Sequence, residues 1–315
     1  MQKKVKRLLG NLLTCVAIFY IVRKLFSYEL DYTIFNEPRT MAIMCILVIV
    51  YMMCVILGCL PWRALVKEIA NIKNSFIEIS VIFTKANLLK YVPGNVFQYV
   101  GRNELAVKKE IKHSDVAFST LIDTIWNLFA NCMVAILIYW NGLFAWISYQ
   151  GVSEKFVILI LAAICAIIVV IIFIIRKFHE QAVRLYAKLK SLNKKSFYIC
   201  LVKNFVFYVI QCVVTSIITF TIFIMISPIE ISLLDFRMYI GAILVAWIVG
   251  FITPGAPGGL GVREAVLIFL LKNVMAEDII LLGVVISRVV SILGDLAAFV
   301  FIRIISGIVI KKDAD

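Results

Sequence analysis

The sequence contains a series of long apolar runs without charged residues, such as Met41–Leu60 and Val157–Ile175. A transmembrane helix needs about 20 consecutive, mainly apolar residues. The chain is 63% hydrophobic and 16% charged, whereas soluble domains average about 45–50% apolar and about 25% charged residues. The runs exclude a soluble globular protein and predict an all-α, polytopic integral membrane helical bundle, with residues 1–315 as a single transmembrane domain. The six predicted full spans are 8–26, 41–60, 116–140, 156–175, 199–226 and 279–306.

Two further apolar segments are each interrupted by a Pro-Gly pair, and we expect both to be broken, re-entrant hairpins. Residues 76–106 contain Pro93-Gly94-Asn95, followed by Gly101-Arg102-Asn103-Glu104. Residues 238–276 contain Pro254-Gly255-Ala256-Pro257-Gly258-Gly259-Leu260-Gly261, followed by Val262-Arg263-Glu264. Proline removes a backbone donor and glycine allows positive φ, so such a pair ends one half-helix and lets another begin. The shared order of Pro-Gly, Gly, Arg and Glu predicts an internal repeat.

The basic residues are distributed unevenly between the predicted loops. Loops on one side hold 22 of the 32 Lys and Arg residues, whereas loops on the other side hold three. The basic loops are 1–7, 61–115, 176–198 and 307–315, and the others are 27–40, 141–155 and 227–237. Because basic loops stay in the cytoplasm, we predict a multi-pass protein of the cell (plasma or inner) membrane with both termini cytoplasmic. The two hairpins then enter from opposite faces, as in an inverted-repeat transporter.

Two strings of the sequence resemble the flippase-like membrane family typified by the transmembrane region of lysylphosphatidylglycerol synthases. They are LLKYVPGNVFQYVGRNELA at 88–106 and TPGAPGGLGVREAVL at 253–267, and the resemblance extends over roughly 9–310. It implies the lipid-translocating half of such proteins, acting on an anionic, aminoacylated or polyprenyl-linked phospholipid. Bifunctional members carry a soluble aminoacyl transferase domain, which we expect this chain to lack.

The residues around the two Pro-Gly breaks are the candidates for binding a lipid headgroup. Half-helices that begin near Val96 and Gly261 would present free backbone N–H groups and a positive dipole end, which suit a phosphate. Arg102 and Arg263 would then lie within the first two turns and bind a phosphodiester in a bidentate manner. We expect four glycines and three further side chains to complete these sites: Gly94, Gly258, Gly259, Gly261, Asn95, Glu104 and Glu264. The two glutamates would orient the arginines or compete with the lipid for them. The alternative is a pair of tight loops with interfacial Arg–Glu salt bridges.

A second group of candidates is an intramembrane polar network of Asp123, Asn127, Arg288 and Asp295. Ionisable residues within a membrane are costly and mark functional sites. Arg288 and Asp295 are two turns apart, about 10.5 Å along a helix axis, so they do not simply neutralise each other. We expect Arg288 to pair with Asp123 or Glu264, and Asp295 to pair with Arg263 or Arg102. The alternatives are a purely structural network, helix–helix hydrogen bonding for the neutral polar residues, and a headgroup path for Arg288.

The leading functional hypothesis is therefore lipid translocation, with membrane lipids as the partners. Two alternatives remain open: a phosphatidylglycerol lysyltransferase-type membrane component, and an accessory protein that presents lipid to a cell-envelope biosynthetic enzyme. We expect no cofactor, metal site or catalytic residue, since the sequence has no nucleotide-binding Gly-rich Lys-Ser/Thr motif and no metal-ligand spacing among its eight cysteines. The basic loops carry the net charge of +13, so we expect no nucleic-acid binding by this chain alone.

Overall fold

The computed structural model describes residues 37–92, 96–107, 111–149, 194–226, 233–253, 259, 261–272 and 274–312. The predicted spans 8–26 and 156–175 and the Pro-Gly pairs lie outside these residues. Within them, all regular secondary structure is helical. A 3-10 turn at Leu89–Tyr91 follows the third of the α-helices. The α-helices are α1 (Pro38–Leu57), α2 (Cys59–Ala70), α3 (Phe76–Leu88), α4 (Phe97–Val107), α5 (His113–Tyr149), α6 (Lys195–Ile226), α7 (Leu233–Ile252), α8 (Val262–Leu271) and α9 (Glu277–Lys312).

Four stretches of the described chain are helical, apolar and long enough to cross a membrane. They are Pro38–Ala70, His113–Ile138, Lys195–Ile226 and Glu277–Val309. Each contains most or all of one predicted span (41–60, 116–140, 199–226 or 279–306) and begins before it. The prediction of an all-helical fold with membrane-length helices is therefore confirmed for the described residues.

The outer surface of the bundle is apolar, and its buried interior holds charged residues. Leu137 is 73% exposed and Ile304 is 59% exposed, whereas Arg102, Asp123 and Asp295 are at most 8% exposed. Helices that are hydrophobic on all sides are typical of membrane spans. This arrangement suits a bundle whose surroundings are lipid, because lipid chains solvate the exposed apolar side chains.

The start of α3 and the close packing of α4 position the first broken segment. Ser75 Oγ accepts a 3.1 Å hydrogen bond from the Glu78 N–H, and Glu78 Oε2 accepts one of 3.3 Å from the Ser75 N–H. This capping box satisfies backbone donors at the helix N-terminus. At Gly101 an added Cβ would lie 2.3 Å from Leu89 Cδ1. The glycine therefore allows α4 to approach the 3-10 turn at the end of α3.

The two broken segments are held in different apolar clusters. The first cluster joins α2, α3 and α4 around Trp62, Ile79 and Ala106. The second surrounds α7 and α8 and includes Tyr239 and Leu271. Helix α5 contributes to both clusters, and α9 packs against α1, α3, α6 and α8. The long helices thus connect the segments on either side of the polar interior.

Candidate functional site

A cavity of about 320 Å³ is lined by residues of both broken segments and of the long helices α1, α5, α6 and α9. Its volume lies at the small end of ligand pockets, which occupy about 300–1,000 Å³. The lining includes the bases Lys90, Arg102, Arg263 and Arg288 and the acid Asp123. Neutral polar residues line it as well, among them Asn87, Gln98, Asn127, Gln211, Thr215 and Ser291. The cavity therefore has the size and chemistry for a small anionic group inside an apolar bundle.

Arg102 of α4 is fixed by an ion pair to Asp123 of α5. The Nη1–Oδ2 distance is 2.9 Å, and the other oxygen of Asp123 accepts a hydrogen bond from the hydroxyl of Tyr208 on α6. The guanidinium carbon of Arg102 lies 5.0 Å from the ring centroid of Trp62 and 4.5 Å from that of Phe83. Aromatic faces attract a cation, so the buried Arg102 charge is stabilised by both an acidic partner and two aromatic rings.

Asp295 of α9 pairs with Lys90 at a Nζ–Oδ2 distance of 2.7 Å, not with Arg263 or Arg102. The prediction for Asp295 is therefore wrong. Asn87 Nδ2 and the Tyr91 hydroxyl also donate hydrogen bonds to this carboxylate, at 2.6 and 2.5 Å. All three donors come from α3 and its 3-10 turn, so Asp295 anchors the end of the first broken segment to α9.

Arg288 of α9 pairs with Glu264 of α8, one of its two predicted partners. The Nη2–Oε1 distance is 3.4 Å, and the same nitrogen donates a 3.2 Å hydrogen bond to the Gly259 carbonyl. The pair connects the second broken segment to α9. Consequently Glu264 is engaged by Arg288 and forms no ion pair with its neighbour Arg263 within the described chain.

Arg263, the second residue of α8, lines the cavity, and its side chain packs closely against two glycines. An added Cβ at Gly250 would lie 2.4 Å from Arg263 Cγ, and one at Gly259 would lie 2.7 Å from its Nε. Gly259 also has a φ of 74°, which side chains other than glycine rarely adopt. The Arg263 guanidinium carbon lies 5.8 Å from the Trp247 ring centroid. Its Nε is buried and has no hydrogen-bond partner among the described residues.

The other predicted site residues are divided between the cavity, the surface and the part of the chain not described. The half-helices predicted to begin near 96 and 261 begin at Phe97 and Val262. Asn127 lines the cavity, and Gly261 is the exposed N-cap of α8. Glu104 is exposed and does not orient Arg102, which pairs with Asp123 instead. Gly94, Asn95 and Gly258 lie outside the described residues.

Sequence reasoning does not single out Lys90, Asn87 or Tyr91, which contact Asp295. Lys90 carries a usable signal, because a lysine inside the apolar run 76–92 is an intramembrane charge of the kind that marks a site. Asn87 and Tyr91 have no such signal. Tyr208 lies on α6 in a stripe of polar residues with Asn204, Gln211, Thr215 and Thr219. Such a stripe is compatible with a helix–helix contact as well as with a cavity wall.

No family model matches this chain, and a search of curated proteins finds no significant match. The resemblance to the flippase-like family therefore stays an expectation. Among the described residues, no group of three or more His, Cys, Asp or Glu side chains is arranged to hold a metal ion.

Proposed function

We propose that this chain translocates a phosphate-containing lipid across the cell membrane, in keeping with its resemblance to flippase-like proteins. The headgroup would pass through the cavity while the acyl or polyprenyl tails stay in the bilayer. The observation that carries this proposal is the polar cavity with four basic side chains inside a bundle whose outer face is apolar. Charged side chains within a membrane are costly and line the paths of polar substrates.

The proposed architecture includes two re-entrant hairpins that enter from opposite faces, and two cytoplasmic termini. The lengths of α3, α4 and α8 support it: 13, 11 and 10 residues extend about 20, 17 and 15 Å at the α-helical rise. The hydrocarbon core is about 30 Å thick, so none of these helices crosses it alone. The apolar part of α7, Phe236–Ile252, is shorter than the four membrane-length stretches and extends about 26 Å at the same rise.

Side-specific labelling tests this topology. In a cysteine-free background, Arg237→Cys is expected to react with an impermeant maleimide added outside intact cells. Lys194→Cys is expected to react only after the membrane is opened. Both positions are exposed, so access to the reagent depends on the side of the membrane. Labelling of both from the outside would contradict the proposed orientation.

Translocation is tested in proteoliposomes with fluorescent phosphatidylglycerol, aminoacylated phosphatidylglycerol and a polyprenyl phosphate, each with and without a proton gradient. We expect wild-type protein to accelerate the movement of at least one lipid, and Arg102→Ala and Arg263→Ala to abolish it. Arg303→Ala is the matched control, because Arg303 is an exposed arginine of α9. Circular dichroism and gel filtration verify that each variant is folded.

Well-folded wild-type protein that moves none of the three lipids, with or without the gradient, would reject translocation. That result would favour the accessory function, in which the cavity presents a lipid to a cell-envelope enzyme on a separate chain.

A further inference from the structure

The charges around the cavity do not balance, and the excess belongs to one residue. Three of the four lining bases have an acidic partner: Lys90 with Asp295 at 2.7 Å, Arg102 with Asp123 at 2.9 Å, and Arg288 with Glu264 at 3.4 Å. Arg263, the fourth, forms no ion pair with any described residue. This group of seven side chains therefore carries a net charge of one positive unit.

Arg263 lies against an aromatic face and has no acid of its own, because Glu264, the acid in the same helix turn, is engaged by Arg288. Its buried Nε has no acceptor in the described part of the chain, and Trp247 forms one wall. Arg263 also lies in the first turn of α8, where no side chain caps the helix N-terminus. Free N–H groups and the helix dipole add positive potential at such an end. A group that fills the space beside Arg263 would therefore need to bring negative charge.

We infer that Arg263 is the anion-binding residue of the cavity and that the site takes a ligand with one net negative charge, of the phosphodiester class. This inference rests on the proposed function and narrows its substrate. Arg263 is half-buried and its Nε is fully buried without a hydrogen-bond partner among the described residues. Such a charge favours a counter-charge, and the planar guanidinium fork fits two oxygens of a phosphodiester. The three paired bases have their counter-charges already and position the segments.

The same charge balance selects between headgroups. Phosphatidylglycerol has one negative charge and neutralises Arg263. Lysyl-phosphatidylglycerol carries two amino groups on the same phosphodiester, so its net charge is positive and adds to the excess in the cavity. We therefore expect the unmodified anionic lipid to be the preferred ligand. Free phosphate offers the same chemistry without tails, so the test includes it.

Binding is measured by titrating fluorescent phosphatidylglycerol into protein in neutral maltoside micelles. We expect Arg263→Gln to weaken binding about 10- to 100-fold, the effect of losing one charge-assisted contact. Arg263→Lys keeps the charge and should lose less than Arg263→Gln. Arg303→Gln, at an exposed position, should bind like wild type. Fluorescent lysyl-phosphatidylglycerol should bind wild type more weakly than phosphatidylglycerol does.

Inorganic phosphate added as a competitor identifies the source of the anion. Displacement of the lipid by millimolar phosphate would support a site for the free anion as well, and no displacement would support a site that needs the lipid. Equal binding of phosphatidylglycerol by wild type and Arg263→Gln would overturn the inference. Equal binding of the two lipids by wild type would also overturn it.

The free energy of unfolding, measured without ligand, distinguishes a structural role of Arg263 from a role in binding. Arg263 has no ion pair among the described residues, so Arg263→Gln should leave the protein at least as stable as wild type. Loss of an arginine with a structural role would lower the free energy of unfolding. Loss of stability in Arg263→Gln without ligand would therefore count against the inference. The inference and the proposed function can fail separately. Lipid binding that depends on Arg263 without any translocation would reject translocation alone. Translocation that continues at the wild-type rate in Arg263→Gln would reject the inference about Arg263 alone.

Discussion

Asp123→Asn is expected to destabilise the protein, because it leaves the buried Arg102 guanidinium without its counter-charge. Arg102 and Asp123 are 8% and 6% exposed, and their charged atoms are 2.9 Å apart. Removing one partner of a buried ion pair costs about 3–5 kcal/mol. Asparagine keeps an oxygen that can accept hydrogen bonds from Arg102 and Tyr208. We therefore expect the lower end of that range, about 3 kcal/mol in the free energy of unfolding.

A double-mutant cycle isolates the pair from other effects of the substitution. Arg102→Met removes the second charge but keeps an apolar contact with Trp62 and Phe83. The double variant leaves no unpaired charge, so it should cost less than the sum of the two single variants, with an interaction energy of about 2 kcal/mol.

The assay is SDS titration in mixed micelles, with helicity followed by circular dichroism. Asp278→Asn is the matched control, because Asp278 is an exposed residue in the first turn of α9. If Asp123→Asn lowered the free energy of unfolding no more than Asp278→Asn does, the Arg102–Asp123 ion pair would not be needed for stability. Simple additivity of the losses in Arg102→Met and Asp123→Asn would also contradict a direct interaction between the two charges.

Two other substitutions test how the broken segments are held. Gly250→Ala should slow the translocation of phosphatidylglycerol about tenfold, the effect of losing a charge-assisted contact. The new Cβ would lie 2.4 Å from Arg263 Cγ, so the Arg263 side chain would have to move. Gly307→Ala, where nothing lies within 4 Å, should transport normally, and equal rates for the two variants would reject this explanation. Lys90→Met should lower the free energy of unfolding in the SDS titration by about 3 kcal/mol, since Asp295 is 1% exposed and would keep only neutral donors. Lys90→Arg should recover most of that loss, and no recovery would indicate that packing, not charge, is responsible.

The features that depend on local chemistry can be predicted from the linear sequence. Apolar runs without charges identify helices that suit a membrane, because hydropathy is a property of consecutive side chains. The Pro-Gly pairs identify where new half-helices begin, and the structure starts these helices at Phe97 and Val262, each one residue from its predicted position. Backbone restrictions at proline and glycine act within a few residues, so a linear pattern is sufficient to predict them.

The pairing of the buried charges depends on how distant segments pack against one another. The spacing of Arg288 and Asp295 fixes their positions on one helix face, yet their partners come from segments up to 208 residues distant in sequence, as the Asn87–Asp295 hydrogen bond illustrates. Helix rotation and packing brought Lys90, not Arg263, to Asp295. Because Asp295, Asp123 and Glu264 each pair with another base, Arg263 is the cavity-lining base without an ion pair among the described residues. A charge balance of this kind is a sum over contacts between distant segments, and no local pattern in the chain contains it.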